Sequence, residues 1–408
     1  MKYCLIGEKL SHSYSKTIHE KFGLDYFLVE LKKEELNGFF KNCEYTGFNV
    51  TIPYKKEVLP YLKKVSKVAS LAGAVNTIVN KNGEFYGYNT DIEGMEYMLA
   101  RRGVSVKGKN VLILGSGGTS NTAVTLCKLK KAKSHTIVSR TGAVNYSNCY
   151  EYKDTQIIIN TTPVGMYPNV YNKPIDVSKF PKLEGVFDCI YNPNTTELLK
   201  DAKRLNIPYS NGLSMLVKQG LLAEDIWLDK THSDDVVENT IKEILLKTTN
   251  VVLTGMPSCG KSTIGRILAK KLGLEFVDTD EEITKKHNKT PSQIILESGE
   301  KAFRLLESEV IKELSLKGGQ VVALGGGAVL NSENPQNLKR NGTIVYIKRN
   351  LDLLSLDSRP ISQQKGVYAL YEERKGVYES VADIIVDNNL SVENCVKEII
   401  NKYETIID

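Results

Sequence analysis

Residues 255–263 read Gly255-Met256-Pro257-Ser258-Cys259-Gly260-Lys261-Ser262-Thr263, a glycine-framed run that ends in Lys-Ser-Thr. Placed between a strand and a helix, such a run holds a nucleotide polyphosphate. Its amides turn inward on the β-phosphate, Lys261 reaches the β/γ oxygens, and Ser262 offers a hydroxyl to Mg²⁺. The flanks supply that setting: 250–254 (Asn-Val-Val-Leu-Thr) reads as a strand and 264–272 as an amphipathic helix. The alternative is a glycine-rich turn that merely caps a helix, and the strand–loop–helix context weighs against it. A second run, Gly115-Ser116-Gly117-Gly118-Thr119-Ser120, follows a strand-like segment at 108–115 and opens a helix candidate at 121–130. Alone it is a weak signal, since many strand-to-helix turns are glycine-rich. The next strand candidate, 136–139, ends in Arg140-Thr141, with no Asp or Glu where a ribose 2′-hydroxyl would be held. An arginine and a hydroxyl at that point suit a 2′-phosphate, hence NADP(H) rather than NAD. The plain alternative for Arg140 is an exposed basic residue at a strand end.

The elements that must position these loops alternate along the chain, strand-like then helix-like, which argues for α/β architecture with parallel sheets. Strands are expected at 2–7, 48–52 and 321–324, and helices at 15–22, 92–102 and 236–247. A chain of 408 residues exceeds one core and suggests two or three domains, with the main boundary near residue 248. No low-complexity linker marks that boundary. The composition, 41% hydrophobic and 25% charged with a net charge of +6, is that of an ordinary globular protein. Its lysines are spread along the chain, so no nucleic-acid partner beyond a mononucleotide is expected. The seven cysteines form no CxxC pair and join none of the five histidines in a cluster, which argues against a zinc site and a disulfide framework. No stretch approaches 18 apolar residues and the N-terminal apolar run is short, so neither a membrane partner nor a leader is expected and the compartment expected is the cytoplasm. Nothing in the sequence signals an oligomeric state.

The N-terminal half resembles shikimate dehydrogenase through an ordered set of motifs. These are Gly7–Ser15 with its His-Ser-x-Ser, Gly47–Lys55 (Gly-Phe-Asn-Val-Thr-Ile-Pro-Tyr-Lys), 73–77, 87–91, 160–166, 188–193 and 212–219. The resemblance implies reduction of 3-dehydroshikimate by NADPH, with Lys55 and Asp91 as the catalytic pair. It also implies that Ser13, Ser15, Thr51, Asn76, Tyr191 and Gln219 hold the substrate carboxylate and hydroxyls. Read without it, Lys55 is one of many surface lysines and Asp91 a cap for the helix at 92. Three departures stand out: Lys16 in place of a proline, Asn121 in place of an arginine, and a short segment between Thr141 and Gln156 that leaves little room for a helix. The C-terminal part, about 250–400, resembles shikimate kinase through the phosphate loop, 278–280, 299–304, 325–327, 359–360 and 374–378. That resemblance implies that Arg304 and Arg374 clamp the shikimate carboxylate and that Asp280 and Gly326 take hydroxyls. Asp278 would join Ser262 at Mg²⁺, and Arg359 would act catalytically on a lid beside Lys261. Otherwise Arg304 is half of a surface ion pair and the triple glycine a tight turn. The lid is short, and no counterpart of an adenine-stacking arginine is visible.

The expected architecture is therefore α/β throughout: a substrate domain at 1–92 completed by 212–247, a Rossmann-like NADP domain at 93–211, and a P-loop kinase domain with a parallel sheet at 248–408. The expected ligands are 3-dehydroshikimate, shikimate, NADP(H), ATP and Mg²⁺. Two competing readings remain open, a quinate dehydrogenase using NAD and a sensor that binds ligand without turnover. Arg140 argues against the first, and intact Lys55, Asp91, Lys261, Asp280 and Arg304 against the second.

Overall fold

The computed structural model describes residues 1–10, 14–354 and 366–407. The chain divides into two compact units, one of Met1–Asn192 with Thr196–Ile241 and one of Pro193–Thr195 with Lys242–Asp408. The division falls inside the helix Asp234–Thr248.

The first unit holds two sheets. In the six-stranded one, Asp25–Glu30, Lys2–Gly7 and Gly47–Val50 run parallel, and Thr77–Lys81, Glu84–Tyr88 and Lys64–Val65 extend the sheet beyond Gly47–Val50. The strand expected at 48–52 stops at Val50. Thr51 still donates to the carbonyl of Ile6 at 3.0 Å, but Pro53 has no N–H with which to continue a ladder. Gly7 allows the strand ends to close up, because a Cβ there would lie 2.6 Å from Thr51 Cγ2. Phe40, Phe48, Phe85 and Tyr54 fill one core of this sheet.

The second sheet is wholly parallel, in the order Tyr209–Ser210, Gly185–Asp188, Ile157–Asn160, Asn110–Leu114, Ser134–Val138. Its central strands are almost uninterrupted Val, Ile and Leu, as expected of strands covered on both faces. The helix expected at 121–130 begins at Gly118, straight from the glycine loop, and ends at Leu129. Between Val138 and Ile157 the only helical element is a 3-10 turn, Cys149–Glu151.

Helix Asp91–Ala100 packs along helix Leu213–Leu228. Gly94 makes the approach possible, since a Cβ at that position would stand 2.7 Å from the carbonyl of Met215 and 3.1 Å from Gln219 Cβ. This contact brings two regions more than a hundred residues apart to one place.

The second unit has five parallel strands in the order Glu275–Asp278, Gln320–Ala323, Asn250–Thr254, Gly342–Lys348, Ile384–Asp387. The helix after the phosphate loop starts at Lys261, three residues before its expected start, and stops at a left-handed Gly273. Helix Pro291–Ser315 is broken at Gly299 (φ 84°, ψ 163°), so the segment carrying Arg304 forms a helical run of its own. No helix among the described residues is long and apolar enough to cross a membrane.

Candidate functional sites

A cleft of about 530 Å³ opens in the first unit between the ends of its two sheets. Of the dehydrogenase residues expected from sequence, Ser15, Thr51, Lys55, Asn76, Asp91, Tyr191 and Gln219 all line it. Lys55 Nζ stands 2.6 Å from Asp91 Oδ2. Asn76 binds the other carboxylate oxygen, donating from Nδ2 to Asp91 Oδ1 at 2.9 Å, and its own Oδ1 accepts from the N–H of Thr90 at 2.9 Å. Thr90, not Asp91, occupies the N-cap of the helix. Asp91 lies inside it, and its carboxylate turns to Lys55 and Asn76. The side chains are 27% and 10% exposed, so the pair is screened from most water yet open to the cleft. A lysine so held can pass a proton to a carbonyl oxygen and stay hydrogen-bonded to the resulting hydroxyl.

Behind the pair lies a scaffold that sequence reasoning left without a role. Asn49 is buried, accepts from the Tyr26 hydroxyl at 2.7 Å, and donates to the carbonyl of Asn76 at 3.2 Å. Asn49 also lines the cleft. The motif Gly-Phe-Asn-Val-Thr contained it, but only the sheet register shows which way it faces. Tyr191 is set by a buried hub: Asp188 accepts from the N–H of Ile190 at 3.0 Å, from Asn160 Nδ2 at 3.0 Å and from the Thr196 hydroxyl at 2.8 Å. Burial pushes the Asp188 carboxyl up to about 7 against the pull of those three donors. Burial also raises the Tyr191 phenol.

The glycine loop leaves strand Asn110–Leu114 at Gly115 (φ 105°), whose Cβ would meet Thr161 Oγ1 at 2.9 Å. Ser116, Gly117 and Gly118 are exposed, and nothing lies within 4 Å of where a Cβ would sit on either glycine. That open rim before a helix N-terminus fits a pyrophosphate. Gly118 also lines the cleft, whereas Gly115, Ser116, Gly117, Arg140 and Thr141 do not. Arg140 and Thr141 are exposed at the end of strand Ser134–Val138, which pairs with the strand feeding the loop.

In the second unit the phosphate loop takes left-handed backbone at Gly255, Ser258 and Gly260, with φ of 144°, 63° and 101°. Lys261 folds over it, donating to the carbonyls of Gly255 and Met256 at 3.0 and 2.9 Å. Ser262 Oγ lies 2.7 Å from Asp278 Oδ2, an oxygen pair suited to a hard cation such as Mg²⁺. The triple glycine packs where no side chain would fit. A Cβ on Gly325 would lie 2.5 Å from Glu307 Oε1 and 3.2 Å from Asp280 Oδ1, one on Gly326 2.9 Å from Pro257, and one on Gly327 2.3 Å from Arg304 Nη2. Arg304 donates to Glu307 at 2.6 Å and to Glu300 at 3.1 Å. Glu307 is 1% exposed, so this is no surface pair. Burial pushes its carboxyl up, and Arg304, with Arg374 behind it, holds that rise back. Arg374 is itself 3% exposed, and its Nε has no hydrogen-bond partner among the described residues. Tyr378, one helical turn on, donates to the carbonyl of Gly326. Two arginines and two carboxylates thus converge beside the phosphate loop, a cluster able to recognise an anionic polyol.

Comparison with known proteins bears on both units. Residues 5–78 match the model of the shikimate dehydrogenase substrate binding domain, and residues 257–404 that of shikimate kinase. An NADP(+) shikimate dehydrogenase of Clostridium perfringens is 37% identical over 260 residues, covering 57% of this chain and 96% of that protein. One of Methanococcus aeolicus is 35% identical over 272 residues, with 59% and 96% covered. The chain belongs to the shikimate dehydrogenase family. A solved chorismate mutase/shikimate 5-dehydrogenase fusion protein from Clostridium acetobutylicum superposes with a TM-score of 0.56 at 35% identity, covering 59% of this chain and 96% of that one. With the kinase match behind the dehydrogenase match, the chain is a fusion of a shikimate dehydrogenase part with a shikimate kinase domain.

Two of the residues assigned from its sequence, Ser13 and Arg359, lie outside the described residues. Among the other kinase assignments, Pro257, Lys261, Ser262, Asp278, Asp280, Arg304, Gly326 and Arg374 are brought together. Cys259 is buried, its carbonyl accepting from Asn388 Nδ2 at 2.9 Å, and Thr263 is exposed on the first turn of the helix. Glu307 went unassigned. The only trace of it in sequence is a carboxylate three residues beyond Arg304.

Proposed function

We propose that the chain reduces 3-dehydroshikimate to shikimate with NADPH in its first unit and phosphorylates shikimate with ATP in its second. The observation that carries this reading is the pairing of the two recognitions: a dehydrogenase whose product is the acceptor of the kinase fused behind it.

In the first unit NADPH supplies the hydride. Lys55 gives the proton to the carbonyl oxygen, and Asp91 keeps the ammonium aimed, with Asn76 fixing the carboxylate. Ser15, Thr51 and Tyr191 offer neutral hydroxyls to the substrate, and Gln219 reaches from the packed helix. Arg140 and Thr141 take the 2′-phosphate of the cofactor. In the second unit the glycine loop and Lys261 hold the phosphates, and Ser262 and Asp278 hold Mg²⁺, which neutralises charge on them. Arg304 and Arg374 bind the shikimate carboxylate in the bidentate manner that guanidinium groups favour, and Asp280 orients the hydroxyls.

One coupled assay tests the whole reading: 3-dehydroshikimate, NADPH, ATP and Mg²⁺, with chromatographic detection of shikimate 3-phosphate. Accumulation of shikimate with no phosphate ester would remove the kinase reading, and unchanged NADPH would remove the dehydrogenase reading.

A further inference from the structure

Strands Gly342–Lys348 and Ile384–Asp387 run parallel beside the strand that feeds the phosphate loop, and they end next to each other, the N–H of Asn388 donating to the carbonyl of Lys348 at 2.8 Å. In open parallel sheets, ligands gather at such carboxyl ends. The first residue beyond each strand meets the loop. The Asn388 side chain donates to the carbonyl of Cys259, and Arg349 approaches Gly260. The point where a Cβ on Gly260 would sit is 2.7 Å from Asn388 Nδ2 and 3.9 Å from Arg349 Nη1.

Arg349 is partly buried, and its Nε is shielded from water with no hydrogen-bond partner among the described residues. Lys348, its neighbour, is paired with Glu379 at 2.8 Å, but no described carboxylate pairs with Arg349. A guanidinium cannot give up its proton, so a partly desolvated one without an anion is costly in the folded chain. The anion site at hand is the phosphate loop. Lys261, the cation within the loop, is turned onto the carbonyls of Gly255 and Met256, and one lysine balances only part of the charge of a nucleoside polyphosphate.

We propose that Arg349 is a further nucleotide-binding residue, contacting from the Gly260 end of the loop the phosphates that the nucleotide keeps through the reaction. The proposal rests on the kinase reading only in taking an adenine nucleotide as ligand. Because those phosphates remain on the product, ADP is a sufficient probe.

The test is calorimetric titration of the full chain and of Arg349→Gln and Arg349→Lys with ADP, and separately with inorganic pyrophosphate, over a range of salt concentrations. Arg349→Gln should weaken ADP by about 10- to 100-fold and pyrophosphate to a similar extent, with a shallower dependence on salt, as loss of a charge-assisted contact implies. Arg349→Lys should recover part of the loss. The KM for shikimate should stay within about twofold of wild type, and the thermal unfolding midpoint of the ligand-free chain should not fall. ADP affinity within twofold of wild type in Arg349→Gln would overturn the proposal. So would a loss for ADP with none for pyrophosphate, which would put the arginine on the base. A wild-type chain that bound ADP through Arg349 yet failed to phosphorylate shikimate would remove the acceptor reading and leave this one standing.

Discussion

Lys55→Ala takes away the ammonium 2.6 Å from Asp91 Oδ2 and leaves the carboxylate with Asn76. If Lys55 is the proton donor, loss of general acid catalysis should lower kcat for 3-dehydroshikimate by about 10²–10⁴-fold. Asp91→Asn is milder, because the ammonium remains, but a carboxamide has one acceptor oxygen and cannot take both Lys55 and Asn76, so its NH2 group faces one of the two donors. A polar group left unsatisfied in this way costs about 1–3 kcal/mol, or roughly 5- to 160-fold in rate. Since Asp91 acts through Lys55, the double variant should be no slower than Lys55→Ala alone. The assay is the decay of NADPH absorbance at saturating substrate, with the thermal unfolding midpoint as the folding control and phosphorylation of added shikimate by the same preparations as the activity control. The activity control should stay near wild type, because every residue assigned to the kinase lies beyond position 254. A Lys55→Ala variant retaining more than half its reductase rate would refute the assignment. Losses that multiply in the double variant would show that Asp91 has a task of its own.

Arg140→Ala should raise the KM for NADPH about tenfold, near the lower end for a charge-assisted contact because the side chain is exposed, and leave NADH unaffected. Equal effects on the two cofactors would mean that it does not read the 2′-phosphate. Arg304→Ala should raise the KM for shikimate by roughly 10- to 150-fold with the KM for ATP little changed. Since the change also strips Glu307 of its partner, Arg304→Lys is the companion variant, and weakened ATP with intact shikimate binding in both would displace the acceptor site. Asp188 makes a pH prediction. Its folded pKa, about 7, exceeds the ordinary aspartate value of 3.8, so between those values the folded chain holds a proton that the unfolded chain has released. Its contribution to stability is therefore present at low pH and lost as pH rises towards 7, by roughly 4 kcal/mol at most. Asp188→Asn cannot ionise, so its unfolding midpoint relative to wild type should climb between pH 5 and pH 8. A difference independent of pH would show that the three donors keep Asp188 ionised throughout.

By itself the sequence determined both glycine loops, the alternation of strands and helices, the α/β class and, through ordered motifs, both enzyme families. These are local signals. A strand reads as a run of apolar β-branched residues, and a phosphate loop needs its glycines within nine positions of one another. Element ends were harder to read. The strand expected at 48–52 stopped at Val50 because the missing N–H of Pro53 outweighed the apolar pattern, and four helices began one to three residues early. Only the tertiary structure decided which polar groups meet. Asp91 could have capped its helix. The packing of that helix at Gly94 and the register that faces Asn76 towards it turned the carboxylate to Lys55 instead. Glu307, Asp188, Asn49 and Arg349 carry no local signature, since a lone charged or amide side chain reads as solvated surface. Their burial, and the partners they found or lacked, follow from contacts between segments tens to hundreds of residues apart, which a periodicity confined to one element cannot encode.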